Sequence, residues 1–109
     1  ELFRFVKQNT AAQDIFVFSK PRALALFAGR RAAAPFTPDD PCRLWRYLTE
    51  IGATYVITGP DSVNAEAVYL ERFVARYPRA LVRVMGNQTS VVYRIVGDPC
   101  SGSGLGLVA

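Results

Sequence analysis

The sequence contains no histidine. A Ser-His-Asp triad or a Cys-His pair is thereby excluded, as are the zinc sites that use imidazole. Two cysteines, Cys42 and Cys100, are too few for a Cys-only zinc site, so neither a metal nor a cofactor is expected. Acids are also scarce, nine against thirteen lysines and arginines. Only Asp39 and Asp40 are adjacent among them, and their place ahead of Pro41 reads as helix capping rather than acid-base chemistry. Asp61 and Glu66 stand near another helix start and read the same way. Long apolar runs are missing: the longest charge-free apolar stretch, from Ile51 to Pro60, falls well short of the ~20 residues that span a bilayer. No basic segment followed by an apolar run and a small-residue cleavage site opens the chain.

What is present suits one domain. Half of the 109 residues are hydrophobic, enough for one core and too few for two. Leu2, Phe3, Phe5 and Val6 show helical spacing directly after Glu1, and the expectation is a piece of a longer protein. The basic surplus is spread over Arg4, Lys7, Lys20, Arg22, Arg30, Arg31 and beyond. It forms no stripe interleaved with exposed aromatics, so no nucleic-acid partner is expected, and anionic lipid head groups match the charge better. Cys42 and Cys100 can close one disulfide in an oxidising compartment, with a gain of about 4 kcal/mol in the chain-entropy model. Without a recognisable framework, the reading adopted is two separate thiols, Cys42 buried on a helix and Cys100 in a tail.

The chain is organised around Ile15 to Arg31. Ile15 to Phe18 is apolar on both faces, as a covered central strand would be. Ser19 then serves as an N-cap, Pro21 opens a helix and Gly29 ends it in a left-handed conformation. This helix, Pro21 to Ala28, is apolar nearly all round and is expected to be buried. Residues 2–8 form a preceding helix, stopped at Asn9 and Thr10. A short edge strand is expected at Ala33 to Phe36. Asp40 caps a helix that starts at Pro41, runs with Leu44, Trp45, Leu48 and Ile51 on one face, and closes at Gly52.

Tyr55 to Thr58 is a second apolar strand, ending in the turn Gly59-Pro60-Asp61-Ser62. A helix from Ala65 to Tyr77 follows, and Pro78 cuts it off. The period then changes to two, and Leu81 to Met85, Gly86 to Thr89 and Val91 to Val96 read as a β-hairpin. The expected fold is α/β: a small mixed sheet with parallel central strands, a C-terminal antiparallel hairpin and helices packed on the sheet. Residues 1–97 form the domain and 98–109 a flexible, glycine-rich tail. That tail lacks the helix a phosphate-cradling loop requires. Asn87-Gln88-Thr89 fits the N-glycosylation pattern but is short and sits at a turn.

One place combines fold geometry with charge. Ser19, Lys20 and Arg22 lie between the carboxyl end of a central strand and the amino end of a helix, where free N–H groups favour an anion. If the second strand is a parallel neighbour, Thr58, Gly59 and Asp61 flank the same crevice. The competing reading pairs Lys20 and Arg22 with Asp61 or another surface acid.

The order of motifs is itself distinctive: Phe5 to Asn9-Thr10, then Phe16 through Lys20-Pro21-Arg22 to Gly29-Arg30, then Tyr55-Val-Ile-Thr-Gly59. Over Leu2 to Val96 it resembles the C-terminal soluble domain of bacterial multi-spanning glycosyltransferases, the group of the protein mannosyltransferases and the lipid A aminoarabinose transferase. Ala11 departs from that pattern, since many members have proline after Asn-Thr. The resemblance implies a periplasmic domain that follows the last transmembrane helix of a membrane protein. Its partners would be the transmembrane catalytic body of the same polypeptide, with lipid head groups or a polyprenyl-phosphate sugar nearby. The parent would be a glycosyltransferase whose catalytic acid lies in its membrane part, leaving this domain non-catalytic. Lys20, Arg22 and Arg30 then become contacts to a lipid phosphate or to the membrane body. An independent small-molecule or anion-binding module is the alternative.

Overall fold

The computed structural model describes residues 2–59 and 64–100. Its element order is α1 (Leu2–Asn9), β1 (Ile15–Val17), α2 (Pro21–Ala28), β2 (Arg31–Ala33), α3 (Pro41–Ile51), β3 (Tyr55–Thr58), α4 (Ala65–Arg76), β4 (Leu81–Gly86) and β5 (Val91–Ile95). The five strands form one sheet in the order β2-β1-β3-β5-β4. Strand β1 is parallel to β2 and to β3, whereas β5 is antiparallel to both β3 and β4. The expected mixed α/β fold is thus the observed one.

Alternation along the central strands sorts the core into two halves. Phe16 and Phe18 point to one face with Ile57 and Val92, where Leu2 and Val6 of α1 and Leu24 and Ala28 of α2 cover them. Val17 and Val56 point to the other face, under Leu44, Trp45 and Leu48 of α3 and Leu70, Phe73 and Val74 of α4. Three layers result, with the sheet in the middle. The chain steps from β1 to β2 in one lateral direction and from β2 past β1 to β3 in the other. With a constant crossover hand, such a reversal puts α2 and α3 on opposite faces.

The helix ends follow their local chemistry. The Asp40 side chain accepts from Cys42 N, Pro41 occupies the first turn, and Gly52 closes α3 at φ 72°. Asn64 caps α4 by accepting from Glu66 N and Ala67 N. Gly29 ends α2 at φ 67°, a conformation that costs an L side chain but not glycine. Ser19 does not cap this helix: the N-cap position falls on Lys20, with no side-chain hydrogen bond.

The edge strand lies at Arg31–Ala33, ahead of the expected Ala33 to Phe36. Gly29 turns the chain early enough for Arg31 to come level with Ile15, and Pro35 lacks the N–H a continued ladder needs. Residues 34–40 then cross to α3, held by the phenols of Tyr47 and Tyr69, which donate to Ala34 O and Pro38 O. Two further expectations are corrected. Helix α2 is not buried all round, because Leu26 and Phe27 face outward. The cysteines are not separate thiols: Cys42 and Cys100 are disulfide-bonded, with Cα atoms 5.6 Å apart. Residues 98–100 are therefore tied to α3, where Thr49 Oγ1 also donates to Asp98 Oδ2. The rest of the expected tail, Asp61, Ser62 and the Pro60 turn lie outside the described residues.

Candidate functional site: the crevice between β1 and β3

Strands β1 and β3 are parallel neighbours with Val17 opposite Val56. Carried on by two residues, this register brings Ser19 level with Thr58 at the carboxyl end of the sheet. From there the chain leaves β1 toward α2 on one face and leaves β3 toward α4 on the other. Divergent exits from adjacent parallel strands open a crevice, the usual ligand position in open α/β sheets. Ser19 and Lys20 follow β1 at this end of the sheet, and Thr58 and Gly59 lie at the end of β3.

The groups in this crevice differ in character. Lys20 and Arg22 are exposed, Ser19 is half-buried, and the amino end of α2 has no side-chain cap. A helix start without a cap leaves N–H groups available to an anion, and the two cations add to its field. Thr58 is 1% exposed, and its Oγ1 has no hydrogen-bond partner among the described residues. A buried hydroxyl without a partner is costly, so a ligand oxygen reaching it would be favoured by more than a surface contact. Trp45 Nε1 is likewise buried and unpartnered, but it lies within the α3/α4 core. There its ring meets Tyr77 edge-on at 86°.

Arg30 does not join this group. Eight residues of helix, about 12 Å of rise, separate it from Lys20, and it stands just before β2 at the opposite end of the sheet. Its guanidinium is committed to the protein itself, donating to Thr10 Oγ1 (3.1 Å), Thr10 O (2.9 Å) and Lys7 O (3.1 Å), with longer bonds to Ala28 O and Gly29 O. Arg30 therefore clamps the end of α1 to the end of α2.

Sequence reasoning missed two features: the unpartnered Thr58 hydroxyl and the outward Leu26 and Phe27. A threonine ending a run of buried apolar residues is a signal for the first. The second has none, because exposure depends on which neighbours the fold supplies. No group of three or more His, Cys, Asp or Glu capable of holding a metal occurs among the described residues. No helix among them is long and apolar enough to cross a membrane. No family model and no curated protein matches the chain.

Proposed function

We propose that the chain is a non-catalytic, extracytoplasmic accessory domain of an integral-membrane glycosyltransferase, and that its β1/β3 crevice engages the phosphate of a lipid-linked sugar. The observation that carries this reading is that Lys20, Arg22 and the uncapped start of α2 follow the carboxyl end of β1, while its parallel neighbour β3 ends at Thr58, whose buried hydroxyl has no partner among the described residues. A phosphate ester offers the charge and acceptor oxygens that such a set can satisfy together. The disulfide supports the compartment, since such bridges persist mainly outside the reducing cytosol. The lack of histidine supports a binding rather than a catalytic role.

Calorimetric titration of the oxidised chain with a short-chain polyprenyl-phosphate sugar tests this. Saturable binding is expected, lost in Lys20→Ala with Arg22→Ala, and no sugar transfer by the chain alone. Absence of binding, or turnover by the isolated chain, overturns the reading. A second reading, an independent anion-binding module, draws on the same crevice, because nothing in its make-up requires the lipid portion. Equal affinity for a free sugar phosphate and for the lipid-linked one would favour that reading.

A further inference from the structure

The net positive charge of the described residues is concentrated in residues 2–38. Between residues 2 and 38 lie Arg4, Lys7, Lys20, Arg22, Arg30 and Arg31, against a single acid, Asp14. Asp14 is turned to its own loop, where its Oδ2 accepts from Ala11 N. The remaining described residues carry nearly balanced charge, Arg43, Arg46, Arg72, Arg76, Arg79, Arg83 and Arg94 against Asp39, Asp40, Glu50, Glu66, Glu71 and Asp98. Helices α1 and α2 thus carry Arg4, Lys7 and Arg22 with no acid, whereas α3 and α4 carry glutamates beside their arginines.

The α1/α2 pair also carries the most exposed large apolar side chains of the described residues. Leu26 is 76% and Phe27 61% exposed, and the Phe27 ring lies 5.5 Å from that of Phe3 on α1. Helical spacing puts Arg22 one turn before Leu26 and Lys7 one turn after Phe3, so cations border the apolar group on both helices. Arg4 and Lys7 are exposed, and neither α1 nor α2 contains an acid.

We infer that the outer face of α1 and α2 docks on an anionic lipid bilayer, with Leu26 and Phe27 inserted at the boundary between head groups and acyl chains. Charge decides the occupant. A bilayer bearing phosphates supplies counter-charge for Arg4, Lys7 and Arg22 at the level where it also supplies an apolar layer for Leu26 and Phe27. A second copy using the same face would set these cations against their own duplicates, because a two-fold interface pairs each patch with itself. A nucleic acid offers the phosphates without the apolar layer, and Leu26, the more exposed of the pair, has no ring to stack on a base. The inference shares only Arg22 with the crevice reading and stands without it, since Leu26, Phe27, Arg4 and Lys7 are not crevice residues.

Co-sedimentation of the oxidised chain with vesicles tests it. Partitioning is expected onto phosphatidylglycerol mixed with phosphatidylcholine, little onto phosphatidylcholine alone, and a steep decline with added salt as the charges are screened. Leu26→Asn with Phe27→Asn is expected to reduce partitioning at least about tenfold. Arg4→Gln with Lys7→Gln is expected to reduce it about fivefold for each charge removed. Arg43→Gln with Arg72→Gln, on the opposite layer, should change it little. Near-UV circular dichroism establishes that each variant is folded. Absence of binding to the anionic vesicles overturns the inference, as does binding indifferent to the Leu26/Phe27 change. A concentration-dependent dimer that the same change dissolves also overturns it, by assigning the face to a second copy. Lys20→Ala keeps the two proposals apart, because it should weaken the crevice ligand while leaving most of the vesicle binding.

Discussion

Arg30 reaches back twenty residues to hold Thr10 at two points, its Nε on the threonine Oγ1 and its Nη2 on the threonine carbonyl. Thr10 Oγ1 in turn donates to Val6 O at 2.6 Å, so the arginine closes the last turn of α1 as well as tying it to α2. Charged hydrogen bonds of this kind contribute more than neutral ones, although partial exposure reduces their worth. Arg30→Ala is expected to lower the unfolding free energy by about 2 kcal/mol, read from urea denaturation. Arg30→Lys should recover less than half, because an ammonium cannot span several acceptors in one plane. Unchanged stability with lost ligand binding would contradict the clamp.

The Cys42–Cys100 bridge joins α3 to the end of the described chain across a separation of 58 residues. Closing so long a loop restricts the unfolded chain, and its loss is expected to cost about 4 kcal/mol. Urea unfolding with and without reductant measures this. Coincident curves would show that the bridge contributes nothing to stability. Thr49→Val is expected to have a far smaller effect, about 1 kcal/mol, since it removes one hydroxyl shared between Asp98 Oδ2 and the helix carbonyl of Trp45.

The parts of this fold that were legible in the sequence share a physical basis. Ile15 to Phe18 and Tyr55 to Thr58 are covered on both faces, and a doubly covered strand is a continuous apolar run. Asp40-Pro41 and Gly52 specify helix ends through bonds and dihedrals that only a few residues provide. The parallel pairing of β1 with β3 was legible for a related reason, because strands joined through helices run in the same direction.

The features that escaped are long-range. Pairing Cys42 with Cys100 requires β5 to lie between β3 and β4, so that its end returns beside α3, and neither cysteine carries a local sign of that. Arg30 shares a motif with Lys20 in sequence, but the rise of α2 separates them in space. Leu26 and Phe27 read as core because a helix without polar residues is ordinarily enclosed. Here only one side of α2 meets the sheet.

Tyr69 makes stability depend on alkaline pH. Burial, and next the neighbouring Tyr77, raise its pKa above the ordinary 10.0, and its hydroxyl donates to Pro38 O at 2.8 Å. The folded state therefore favours the neutral phenol more than the unfolded state does. Its contribution is complete below the ordinary phenol value and is lost as pH rises through the raised, folded one. Tyr69→Phe is expected to cost about 1 kcal/mol at neutral pH, and the gap to the parent protein should close in alkali. A constant gap across that range would rule out titration of Tyr69 as the cause.

Thr58 separates stability from ligand binding. Its hydroxyl is buried without a partner, so the folded protein bears a desolvation cost that valine, of nearly the same shape, would remove. Thr58→Val is expected to raise the unfolding free energy by about 1 kcal/mol and to weaken binding of a phosphate ester in the crevice. Thr58→Ser keeps the hydroxyl and leaves a methyl-sized void, with a cost of about 1 kcal/mol and binding largely retained. Thr58→Val thus gains stability while losing affinity and Thr58→Ser loses stability while keeping affinity, a pattern that a general disturbance of β3 would not give. Destabilisation by Thr58→Val would mean that the hydroxyl is satisfied in the folded chain, and Thr58 would no longer count among the groups awaiting a ligand.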